Sequence, residues 1–526
     1  MVVNSPKIIE LGEVYTNNNT VINSIDEIFK DYNFQLNHNW LDIGTGSGAF
    51  LVELIDRRIE LLRSLGKSDS EIFKNCVNHI SAYEINDNNL NKLFQNCRDT
   101  FQRNGFQLTK KEFSKIVKFS DFLFHDIARR YDIITGNIPF VRYDNLLKYM
   151  GSEYIKELKQ RYLTFVGRCD YCVPFFEKSI DILTEDGRIG IISSKQWTKT
   201  NYGLVLRNMI FNNFHLKVRP IASDEYQQEV RTYSALFQIK LKNGSSNSLI
   251  FELAKSKDDS VIRSINKQKI VIQDQYSGIW LSVPSEIKNI LNKLLKLPRL
   301  FDCYDVGKGL STGAQKILVK TIEEWNEEEI KGDDLVEVVD STQIRTKAKR
   351  YLLKVHNLIT GDILEKKDLS KPVQKYLDNH ENILKQRYFV KNVPNSKWWD
   401  TIDRFNLKIF SASKFIFPNT LQGNIVKFQC GNIYPGNDVT WVIVDSKMKT
   451  QMSSILKSPI FKIWREFGGP EYGNNHRWST KLIKSVPIPK KIQKDVPINM
   501  QYGLTDGEWR KIQNHLNKNH NATFDD

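Results

Sequence analysis

Long apolar runs are missing from this sequence. No uninterrupted hydrophobic stretch is long enough to span a bilayer, so no membrane association is expected. The opening residues, Met1-Val2-Val3-Asn4-Ser5-Pro6-Lys7, lack the charged, apolar and cleavage regions of a secretory signal, and a cytoplasmic location follows as the expectation. Cysteine is scarce: six in 526 residues exclude a disulfide framework. Cys169 and Cys172 form a C-x-x-C pair, but zinc needs two more soft ligands at similar spacing and none lies nearby, so no metal is expected. Internal repeats and long low-complexity tracts are absent too. What remains is the composition of a globular protein with room for two or three domains.

Positive charge is present in excess, and it is uneven. Residues 1–240 hold 31 basic and 29 acidic side chains, whereas 241–526 hold 45 and 32. A nearly neutral half is joined to a strongly basic one. A basic half rich in aromatics suits a polyanion, because Lys and Arg displace the counterions condensed on phosphates.

The first half alternates short apolar strands with helical stretches. Trp40–Ile43, His79–Ile85, Tyr131–Thr135, Arg188–Ser193 and Tyr233–Ile239 read as strands, and Phe175–Leu183 as a helix with Phe176, Ile180 and Leu183 on its apolar face. This pattern predicts an α/β fold with a mostly parallel, doubly wound sheet. Polarity rises around Lys242–Asn247, and the domain boundary is placed shortly after it, at 255.

The first strand runs into Asp42-Ile43-Gly44-Thr45-Gly46-Ser47-Gly48 and then a helix. Such a glycine turn lets the backbone approach a ligand closely, but alone it fits a dinucleotide, S-adenosylmethionine or a plain turn. The next strand ends in Glu84, an acid able to accept from two ribose hydroxyls. The nicotinamide fingerprint expects glycine where Ala49 stands and an acid much nearer, which favours S-adenosyl-L-methionine. The third element, Gly136-Asn137-Ile138-Pro139-Phe140, follows the strand Tyr131–Thr135. An exocyclic base amine is a poor nucleophile because its lone pair is conjugated into the ring. The Asn137 side-chain oxygen and the Ile138 carbonyl are two acceptors for its N–H groups. Pro139 fixes the turn, and Phe140 offers a face for an extruded base.

With these motifs in this order, the chain resembles the gamma-class N6-adenine DNA methyltransferases of type II restriction–modification systems over nearly its whole length. The resemblance implies a Rossmann-like methyltransferase domain over 1–255, followed by a mixed α+β DNA target-recognition domain over 256–526. Gly12-Glu13-Val14-Tyr15-Thr16 resembles the segment beside the cofactor's methionine, with Thr16 expected there. Asp121-Phe122 resembles the adenine contact: the Asp121 carboxylate would accept from the cofactor's N6 and Phe122 would cover the ring. With Asp42, Gly44, Gly46 and Glu84 these complete the expected cofactor set. Tyr226, within Glu225–Thr232, is the candidate second aromatic contact for a flipped base.

Three departures stand out: Asn17 replaces a usual proline, the glycine loop reads Ile-Gly-Thr instead of Pro-Ala-Cys, and Ile138 replaces the first proline of the catalytic turn. Asn-Ile-Pro-Phe also resembles ribosomal-RNA adenine dimethyltransferases, which leaves RNA as a rival substrate. A non-catalytic DNA-binding specificity protein of the same fold is a further alternative. The basic half favours double-stranded DNA. Val306–Gly313, the stretch from Tyr376 to Tyr388, Trp398-Trp399 and Val486-Pro487-Ile488-Pro489 resemble blocks of the DNA enzymes' recognition region. Arg387 and Lys397 are the expected substrate-binding cations, with Arg404, Lys408 and Lys414 nearby; core packing is the expected role for at least one of the two tryptophans. The chain begins almost at once with the cofactor segment, so no nuclease module is expected; a monomeric enzyme is expected, paired with a separate restriction endonuclease or acting with none, as an orphan epigenetic methylase.

Overall fold

A computed structural model describes residues 16–221, 234–241, 249–251, 269–274, 278–419, 427–472 and 475–521. The chain divides into two compact units, 1–286 and 287–526.

The first unit is built on one ten-stranded sheet. Its strands are β1 (Trp40–Ile43), β2 (Ile80–Glu84), β3 (Val117–Phe119), β4 (Tyr131–Asn137), β5 (Leu183–Ser194), β6 (Phe214–Ile221), β7 (Ser234–Leu241), β8 (Leu249–Phe251), β9 (Lys269–Gln273) and β10 (Trp280–Pro284), in the order β10-β9-β8-β6-β7-β5-β4-β1-β2-β3. The run from β5 to β3 is parallel throughout. β7 enters antiparallel between β5 and β6, and β9 and β10 continue with antiparallel pairing, so half of the sheet departs from the expected parallel pattern. Helices cover both faces. Ala49–Ser64, Asp69–His79 and Asp87–Arg103 enclose a core of Leu51, Ile55, Cys76, Leu93 and Phe101. Across the sheet, Phe176, Trp197, Phe237 and Trp280 share another core.

Two boundaries differ from the sequence reading. The unit continues to Glu286 instead of ending at 255, because β9 and β10 pair onto the same sheet. β4 extends through Gly136 to Asn137, because pairing with β5 continues to Ile192. The polar stretch 242–247 lies outside the described residues.

The second unit is mixed α+β. One four-stranded sheet runs Val306–Lys308, Val439–Ile443, Lys414–Pro418, Lys427–Gln429; another runs Val319–Lys320, Arg350–Leu353, Leu335–Val339, Tyr434–Pro435. Short helices such as Lys371–Asn379 and Pro459–Gly468 pack around them through Tyr376, Leu377, Phe461 and Trp464. No helix among the described residues is long and apolar enough to cross a membrane.

Candidate active site

The strand order reverses at β1, whose neighbours are β4 and β2, and ligands of open α/β sheets bind outside the carboxyl ends of strands at such a point. The glycine loop leaves β1 there. Gly44, Gly46 and Gly48 stand at φ of 68°, 56° and 97°, a region that side chains disfavour. Two bonds tie the loop to the end of β2: Thr45 N–H donates to the Tyr83 carbonyl (3.1 Å), and Gly46 N–H donates to Glu84 Oε2 (2.5 Å). Glu84 Oε1 accepts from Asn86 N–H at 2.7 Å, and the residue is only 3% exposed.

One pocket brings together Thr16, Gly44, Gly46, Glu84, Asp121, Phe122, Asn137, Ile138 and Pro139. These residues come from five separated stretches of sequence and were expected to share a site. Asn137 Nδ2 donates to Thr16 Oγ1 at 2.9 Å, which links the turn after β4 to the start of the described chain. Asp121 Oδ1 accepts from Leu123 N–H (2.9 Å), and Oδ2 accepts from the Tyr154 hydroxyl (2.7 Å). Burial raises the Asp121 carboxyl above the usual range, and the bonds from Tyr154 and Leu123 and the charge of Lys178 oppose that rise. Lys178 lies behind the segment: its ammonium donates to the Leu123 and His125 carbonyls (3.3 and 2.5 Å) and sits 5.1 Å from the Phe122 ring centre. Burial pushes its pKa down to about 8.

Four expected residues stand differently. Asp42 does not line the pocket. It is 1% exposed on β1, and burial, with the Glu84 carboxylate as second cause, pushes its carboxyl up to about 8. Phe140 is half-buried against the core that contains Val21, Trp40 and Phe50, and it too lies off the pocket lining. Arg387 is buried: Nε, Nη1 and Nη2 donate to the carbonyls of Leu384 (3.0 Å), Thr312 (2.8 Å) and Trp398 (2.6 Å). A guanidinium committed to three backbone carbonyls holds the fold together, and the expected phosphate contact is corrected accordingly. Lys414 is likewise buried, on the Phe410 and Ile433 carbonyls. Lys397 stays at the surface, paired with Glu365 and 5.7 Å from the Trp399 ring centre. Trp398 and Trp399 meet edge to face and both pack against the core of the second unit. Tyr226 and Gly12–Tyr15 lie outside the described residues.

The sequence reading missed several lining residues. Tyr171 and Phe175 enter from the loop and helix after Asp170, and Phe175 stacks on Phe122 with ring centres 5.7 Å apart. Met150 enters from the helix Tyr143–Arg161. Phe175 adjoins the recognised apolar face at Phe176, which was the only signal available for it.

Among the described residues, the lining has two carboxylates, Glu84 and Asp121, and no lysine or arginine. A pyrophosphate would find no cation there, whereas a ligand with a ribose, a purine and a positive sulfur finds acids and aromatic faces. The residues fit S-adenosyl-L-methionine, which is the cofactor. Among the described residues no cluster of His, Cys, Asp and Glu is suited to hold a metal ion. Glu84→Ala removes the expected ribose acceptors and the loop's anchor at Gly46. Affinity for S-adenosylhomocysteine should fall about tenfold to a hundredfold; unchanged affinity in calorimetry would refute the role of this acid.

Residues 40–221 match the family described as Eco57I restriction-modification methylase. Over 510 residues the chain is 26% identical to the type II methyltransferase M.BstVI of Geobacillus stearothermophilus, covering 87% of this chain and 86% of that protein. It is 22% identical over 495 residues to the type II methyltransferase M.PaeR7I of Pseudomonas aeruginosa, covering 89% and 83%. Among solved structures, the type IIL restriction-modification enzyme MmeI in complex with DNA aligns with 99% of this chain and 73% of its own, at a TM-score of 0.55 and 12% identity. The DrdV–DNA complex aligns with 95% of this chain and 57% of its own, at 0.52 and 12%. These two likenesses establish the fold. The segment 40–221 thus matches the Eco57I restriction-modification methylase family, within a methyltransferase that resembles type II enzymes over most of its length.

Proposed function

We propose that the protein transfers the methyl group of S-adenosyl-L-methionine to N6 of an adenine extruded from duplex DNA. The observation that carries this reading is the placement of Asn137, Ile138 and Pro139 in the same pocket as Glu84 and Asp121. Asn137 Nδ2 donates to Thr16 Oγ1, and the amide oxygen, the atom able to accept from an amine, lies at the other end of the group. That oxygen and the Ile138 carbonyl hold the two N–H groups of the base, and the nitrogen's lone pair is turned out of conjugation towards the cofactor. When bound, S-adenosyl-L-methionine supplies an electrophilic methyl on a positive sulfur. The chain's contribution is alignment and preorganised acceptors, which carry the rate. Phe140 would have to turn out of its half-buried place to stack on the base. The curated relatives named above are type II methyltransferases and the aligned structures are complexes with DNA, which supports a DNA substrate. The second unit would supply recognition, through surface cations such as Lys397 rather than Arg387, and a separate restriction endonuclease would cut the unmodified site.

The test is transfer of labelled methyl groups to duplex DNA and to ribosomal RNA, followed by nucleoside analysis. N6-methyladenine in the duplex, confined to one short sequence, is expected. Label in RNA alone would reassign the substrate to the rival family. N4-methylcytosine would keep the amine chemistry and change the base.

A further inference from the structure

Two tyrosines beside the cofactor pocket carry an assignment that rests on the methyltransferase reading. Tyr154 lies on the helix Tyr143–Arg161 and Tyr171 just before the helix Val173–Asp181; they are 4% and 5% exposed. Their hydroxyl oxygens are 2.6 Å apart, and the Tyr154 hydroxyl is 2.7 Å from Asp121 Oδ2. Tyr171 and Asp121 line the pocket; Tyr154 does not.

The proton order in this chain follows from valence. An ionised carboxylate only accepts, so the single proton of Tyr154 is committed to Asp121. The bond between the tyrosines must then use the proton of Tyr171. Tyr171 is left with lone pairs and no proton to offer, and Asp121 is left with its own lone pairs. Burial holds both phenols well above their usual range, so each keeps its proton.

We propose that Tyr154 is a positioning residue which makes the surface formed by Asp121 and Tyr171 acceptor-only, so that the cofactor is selected by the 6-amino group of its purine. An amine brings two donors to this surface. A 6-oxo purine brings an acceptor, which would face oxygen lone pairs with no proton between them, the costlier arrangement in a buried site.

The test uses the full-length protein and two probes, S-adenosylhomocysteine and S-inosylhomocysteine, which differ by amine against carbonyl at position 6. Wild type should prefer the adenosyl ligand in calorimetry. Tyr154→Phe and Tyr171→Phe keep the packed rings, and each should cut the preference about fivefold to tenfold, through weaker binding of the adenosyl ligand alone. Asp121→Asn brings an amide donor and should move the preference towards the inosyl ligand. Equal weakening of both ligands in the phenylalanine variants, or an unchanged ratio in either of them, would overturn the assignment while leaving the methyltransferase reading intact. Wild-type protein that binds neither ligand would overturn both.

Discussion

Asn137→Ala should lower the rate of methyl transfer about 100- to 1000-fold, the loss typical of deleting one preorganised hydrogen-bonding group at a reacting centre. The bond lost with it joins the turn to Thr16, so binding of S-adenosylhomocysteine should weaken only slightly. DNA affinity should stay near that of wild type. The separation of effects is the diagnostic: single-turnover transfer collapses while the equilibrium constants hold. A 2-aminopurine at the target position should still brighten with this variant, because the substitution removes an acceptor and not the space for the base. Transfer at the wild-type rate would reduce Asn137-Ile138-Pro139-Phe140 to a strand-end turn.

Gly136→Ala should strongly destabilise the first unit. Gly136 stands at φ 150°, and a Cβ there would lie 2.2 Å from the Ile43 carbonyl oxygen, 3.1 Å from Ile43 Cγ1 and 3.2 Å from Asp42 Oδ1. The nearest obstacle is backbone of the adjacent strand β1, so no side chain can swing away to relieve it. β1 and β4 would have to separate at the point where one leads into the glycine loop and the other into Asn137. A loss of about 2–4 kcal/mol is expected, the sum of overpacking and an unfavourable dihedral. Denaturant unfolding measures it. A loss below about 1 kcal/mol would show that the strands have slack, a value below the usual overpacking range.

Much of the candidate site was legible because its signals are local. Glycines after an apolar strand, an acid at the end of the next strand and Asn-x-Pro after a third are each readable within a few residues. Parallel topology then brings strand ends together, so Gly44, Glu84 and Asn137 converge. Asp42 was misplaced because its distance from the glycines is visible in the sequence, whereas its burial behind them depends on β4. Tyr154 was invisible because its partner Asp121 is 33 residues away and no short motif links them. Arg387 failed for another reason: interleaved cations and aromatics look alike whether a guanidinium faces phosphate or carbonyls. The carbonyls that hold it come from positions 312, 384 and 398, and only folding brings them together. The boundary at 255 failed because β9 and β10 are short strands separated from β8 by a long polar stretch, which in sequence resembles a linker.

The two acids of the lining, Glu84 and Asp121, also bear on turnover. Methyl transfer removes the positive charge from the cofactor's sulfur, so the spent cofactor is one charge less positive than the fresh one. Glu84 and Asp121 attract the fresh form and lose that attraction when the methyl departs. By charge alone the pocket favours the fresh cofactor over the spent one, so the chemical step itself weakens the grip on what must leave.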